Sequence, residues 1–122
     1  MADRSPLVAL GALNAALAVA AGAFAAHGLR ERLTPRALEI FETGARYHMY
    51  HALAMVLAGV LVATRGASTA GWLFQAGIVL FSGSLYVLAV TDVKVLGAIT
   101  PLGGVLFLAG WLWLAWSAWR AA

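Results

Sequence analysis

Residues 47–64 read YHMYHALAMVLAGVLVAT, polar in the opening turns and apolar thereafter. At helical spacing Gly44, His48, His51 and Met55 fall at i, i+4, i+7 and i+11, so two imidazoles and a thioether share one stripe while the remaining faces are free to meet hydrocarbon. Just ahead, Glu42 and Arg46 stand at i and i+4 with the acid first, the favourable order for an ion pair, on a different face. The pattern predicts a helix that enters a membrane with its polar groups sorted to one side. Three other runs join it.

Apolar segments also occupy residues 7–26, 70–91 and 95–119, each close to the ~20 residues that a helix needs to cross a bilayer. A chain of 122 residues that is 63% hydrophobic and 11% charged cannot hide that surface in a soluble core of its own size. Backbone amides in lipid are satisfied within helices, and the runs lack the alternation of barrel strands. The expected fold is all-α: an integral membrane four-helix bundle, with residues 1–122 forming a single domain. Connections of only RGAST and DVKVLG make successive helices antiparallel neighbours.

The one long connection, from His27 to Arg46, holds Arg30, Glu31, Arg32, Arg36, Glu39, Glu42 and Arg46. Thr34 followed by Pro35 is an N-cap followed by a proline at the first helical position. Leu38, Phe41 and Ala45 then recur on one face, while Glu39, Glu42 and Arg46 follow one residue on. An interfacial amphipathic helix is expected over 35–46, with Gly44 as the bend before the crossing. Ala23-Phe24-Ala25 resembles a signal-peptidase site, but its apolar run exceeds a typical signal core and the leading MADRSP balances Arg4 with Asp3, so the first run is expected to stay in the membrane.

Chemistry-bearing residues are few. His27, Glu42, Arg46, His48 and His51 form the candidate polar site, all on one side of the membrane. Its simplest role is to tie the first helices together by hydrogen bonds; its sharper role is an ion path, a proton relay or a ligand set. His-x-x-His can share a metal only if Glu42 or His27 completes the shell, so metal binding stays open and no cofactor is assigned. Zinc-protease, nucleophile-elbow and phosphate-loop patterns are absent. No cysteine is present, and a net charge of +3 scattered along the chain argues against nucleic acid while suiting anionic headgroups.

Within the later runs, Gln75, Ser82 and Tyr86 share a stripe, Ser84 and Thr91 another, and Asn14 puts an amide into the first crossing. Small residues let backbones approach, and Gly83, Ser84, Tyr86, Pro101, Gly103 and Gly104 are the expected packing residues. A tight contact is expected where Pro101-Leu102-Gly103-Gly104 meets another helix or the Gly83-Ser84 segment, so that Gly104→Leu would be disruptive. Trp111, Trp113, Trp116 and Trp119 precede Arg120, the later ones as an interfacial anchor.

Four ordered motifs, AAHGL, FETGARYHMYHAL, AGIVLFSGSLYVLAVT and ITPLGGVLFLAGW, closely resemble the YgdD-like family of small bacterial inner-membrane proteins, the domain of unknown function 423. The likeness spans nearly the whole chain, and a small eukaryotic membrane protein group is distantly similar. It implies a multi-pass protein of the bacterial inner membrane and places His27, Glu42, His48, His51, Ser84, Tyr86, Pro101, Gly103 and Gly104 on motif positions. Ala25 departs from the glycine expected there. The resemblance brings no reaction or catalytic residue.

The expected function is therefore non-enzymatic: a membrane protein that packs helices as a homo-oligomer or as an accessory subunit beside other membrane proteins. The alternatives are a small transporter or channel with a histidine-gated polar site, and a metal- or haem-binding membrane protein. By the positive-inside rule, Arg30, Arg32, Arg36, Arg46 and Lys94 outweigh Arg4, Arg65 and Arg120, which puts the long connection on the cytoplasmic side.

Overall fold

Thr34 holds an extended backbone before Pro35, and its Oγ1 accepts the Ala37 amide at 3.1 Å, so a helix starts here with one of its orphan donors satisfied. In the computed structural model, which describes residues 6–61 and 63–121, this is the second of four helices: α1 (Pro6–His27), α2 (Pro35–Val60), α3 (Ala67–Thr91) and α4 (Leu96–Ala121). Asp3 and Arg4 lie outside the described residues.

The amphipathic segment over 35–46 forms the opening turns of α2 and runs without a break into the apolar half. Gly44 does not end or divide the helix. Its missing side chain serves close approach instead: a Cβ there would stand 3.1 Å from the Tyr86 ring, and its carbonyl accepts the Ser82 hydroxyl at 2.8 Å. The turn into α3 uses Gly66 in the left-handed region, at φ 88°. At the far end of α3, Asp92 takes φ 58° and donates its amide to the Leu88 carbonyl, closing the helix before the short passage to α4.

Packing follows chain order, α1 on α2, α2 on α3 and α3 on α4, with a small contact between α1 and α3. Glycines set the distances. Between α1 and α2, a Cβ on Gly11 would meet the Val56 amide at 2.8 Å, and one on Gly59 the Val8 amide at the same distance. Between α3 and α4, Gly103 lies against the Phe81 backbone with no room for a Cβ, and Gly77 and Gly110 receive the rings of Phe107 and Phe74. Such contacts hold helices together where no hydrophobic force drives them.

The expectation of tight packing at Gly83 and Gly104 is corrected by one register step. A Cβ on Gly104 would find only the Phe81 ring edge at 3.9 Å, and one on Gly83 only the Ile78 carbonyl at 4.0 Å, because both point beside the α3–α4 seam. Pro101 is exposed. Ser84 does join the seam, its Oγ lying 2.6 Å from Thr100 Oγ1.

Leu7, Met55, Phe74, Ile78 and Phe107 centre one buried cluster, while Ala25, Leu29, Phe41 and Ala89 centre a second. Outside, the distribution is that of a protein in lipid: Leu13, Leu17, Val19 and Phe24 on α1 and Leu102, Val105, Leu108 and Leu112 on α4 all face outward. By length and composition α1, α3 and α4 can each cross a membrane; α2 packs between α1 and α3 and turns His48 and His51 inward. The chain is an all-helical, multi-pass membrane protein.

Candidate functional site

The inward stripe of α2 meets polar residues from both neighbours. His48 Nε2 stands 2.9 Å from Asn14 Oδ1 of α1, and His48 Nδ1 stands 2.9 Å from the Tyr86 hydroxyl of α3. Asn14 Nδ2 in turn donates to the Leu10 carbonyl and to Gln75 Oε1, each at 2.9 Å, with Met55 Sδ at 3.7 Å. These partners fix the protons. A carbonyl only accepts, so Leu10 orients the asparagine amide, and Oδ1 is left to accept from His48 Nε2–H. Neutral His48 then accepts from the Tyr86 hydroxyl at Nδ1. The result is a chain from Tyr86 through His48 and Asn14 to Gln75, joining three helices.

His51, one turn further along the same stripe, is held differently. Its Nδ1 lies 2.8 Å from the Tyr47 carbonyl, and its Nε2 accepts the Trp111 indole N–H at 3.1 Å. Acceptor on one side and donor on the other leave a single neutral tautomer, with the proton on Nδ1. The ring stacks on Phe107 at a centroid distance of 3.5 Å and an interplanar angle of 5°. Both imidazoles are buried, and each spends both nitrogens on protein partners. Neither keeps a lone pair free for an ion.

The other expected members stand apart. His27 is exposed at the end of α1, and Glu42 and Arg46 are exposed on the outer face of α2. The ion pair found among the described residues is Arg36–Glu39 at 3.7 Å, an exposed contact of small energetic weight. Among the described residues no three His, Cys, Asp or Glu side chains gather as a metal site would require. Reading His27 and Glu42 into one cluster with His48 and His51 fails on helix rotation: sharing a membrane side does not mean sharing a face.

Spacing along α2 did not reveal the real partners. Asn14 and Tyr86 belong to His48, with Gln75 joined through Asn14, and Trp111, read as part of the aromatic end of α4, belongs to His51. The available signal was cost: a single amide in an Ala- and Leu-rich membrane helix is expensive unless a neighbour satisfies it. Every fully buried side-chain nitrogen and oxygen among the described residues has such a neighbour. Beside His51, a shallow cavity of about 450 Å³ lined by Tyr47, Tyr50, Phe81, Gly104, Phe107 and Trp111 opens sideways between α2 and α4.

A family model described as "Protein of unknown function (DUF423)" matches residues 21–104. Over 115 residues the chain is 52% identical to the UPF0382 membrane protein YwdK of Bacillus subtilis, covering 91% of this chain and 94% of the relative. It is 51% identical over 109 residues to the UPF0382 membrane protein SAB0533 of Staphylococcus aureus, covering 88% and 89%. Against the UPF0382 membrane protein SH2409 of Staphylococcus haemolyticus the figure is 46%, covering 93% and 94%. No solved structure matches.

Proposed function

This chain belongs to the DUF423 family, and on that premise we propose that it acts without catalysis, as a single-domain packing unit that associates in the membrane with a second copy or with another membrane subunit. The supporting observation is the outward face of α1. Ala9, Ala12, Ala16, Ala20 and Ala23 are all exposed at spacings of three and four. Such a surface lets a foreign helix approach closely. On α1 this alanine stripe runs between exposed Leu13, Leu17 and Phe24 on one side and Val19 on the other, whereas the outward face of α4 over Leu102, Val105, Leu108 and Leu112 is bulky and suits lipid.

The closed polar interior supports the same reading. Its groups bind one another, which favours rigidity over transport. Native mass spectrometry of Ala16→Trp and Leu112→Trp variants tests the proposal. Loss of the assembly in the first and its retention in the second, with both variants folded, is the expected result; the same assembly state in both would overturn it.

A further inference from the structure

At the end of the bundle where α2 turns into α3, a cavity of about 400 Å³ lies between that turn and the last turns of α4. Among the described residues its polar lining consists of Arg65, Thr69, Ser117 and Arg120, with Trp113 and Trp116 along its wall and no carboxylate. Neither arginine has an acidic partner among the described residues. The Arg120 guanidinium is set 5.8 Å over the Trp116 ring, and α3 begins at Gly66 with no side-chain cap on its first amides.

One group here points directly to a ligand. Ser117 is only 8% exposed as a residue, but its oxygen is not fully enclosed: it lines the cavity against Gly66 and has no hydrogen-bond partner among the described residues. A hydroxyl on a membrane helix normally returns to a carbonyl of its own helix, as those of Thr43, Thr91 and Thr100 do. Ser117 instead stands beside two cations, an indole N–H and the positive end of a helix. Each can donate to, or attract, an anion with several acceptor oxygens.

We propose that this cavity binds the phosphate of an anionic lipid headgroup. Tryptophans at headgroup depth bring the lipid's glycerol region alongside, and a basic pocket between membrane helices is the usual form of such a site. Inorganic phosphate shares the chemistry but has no tail to hold against Trp113 and Trp116. The site lies away from the α1 alanine face, so its occupancy does not depend on association through that face.

Native mass spectrometry of the full chain, titrated separately with phosphatidylglycerol, phosphatidylcholine and inorganic phosphate, tests this. Phosphatidylglycerol is expected to be retained over phosphatidylcholine. Binding should weaken about fivefold in Arg65→Gln or Arg120→Gln and roughly twenty-five-fold in the double variant. Ser117→Ala should weaken it too, Arg65→Lys should largely preserve it, and Arg30→Gln should leave it unchanged. Equal binding of phosphatidylglycerol by the wild type and by either folded single variant would overturn the proposal. So would saturation by inorganic phosphate with both lipids bound alike, which would assign the site to the free anion.

Discussion

Asn14 Oδ1 and His48 Nε2 meet at 2.9 Å between α1 and α2, and the same asparagine reaches Gln75 on α3 with its amide nitrogen. One side chain thus connects three helices. Removing it strands two partners, whereas removing the Tyr86 hydroxyl strands one. Asn14→Leu should therefore destabilise the fold by about 1–3 kcal/mol, and Tyr86→Phe by about 0.6 kcal/mol. Reversible unfolding in mixed micelles measures both; equal costs would mean that Asn14 is not the node.

The two buried histidines should carry their protons on opposite nitrogens. His48 donates from Nε2 toward Asn14, and His51 donates from Nδ1 toward Tyr47. Nitrogen-15 spectra of imidazole-labelled protein in bilayers are expected to show two neutral tautomers. Trp111→Phe should alter the His51 signals alone.

Glycine substitutions should separate the seam from its surroundings. Gly103→Ala places a methyl group against the Phe81 backbone, which cannot yield as a side chain would, and should cost about 1–3 kcal/mol. Gly104→Ala has nearly 4 Å of room and should be neutral or stabilise by up to about 1 kcal/mol, since alanine also favours helix. Thermal melts compare the two. The reverse order would place the α3–α4 contact on the wrong register.

Sequence patterns served the fold well because lipid imposes one solution on long apolar runs: helices with inward polar stripes. Gly44, His48, His51 and Met55 were visible as one stripe, and all four are buried. Two things were not legible. The role of Gly44 looked like a bend because glycine weakens helices, yet its use depends on Tyr86 and Ser82, 42 and 38 residues away and brought beside it only by packing. Apart from the Tyr47 carbonyl, the partners of the histidines come from α1, α3 and α4, so spacing within α2 could not name them. His27 and Glu42 were drawn in by membrane depth, which fixes height along a helix but not rotation about it.

The central claim is that the alanine face of α1 meets another protein, and the chain, which has no cysteine of its own, allows a clean measurement. Single Ala16→Cys and Leu112→Cys variants are oxidised or treated with a short bifunctional thiol reagent in native membranes, then resolved by mass. A discrete crosslinked species is expected from position 16, either a dimer or one defined adduct, and monomer alone from position 112. Monomer alone from position 16, with its thiol still labelled by a membrane-permeant probe, would contradict it.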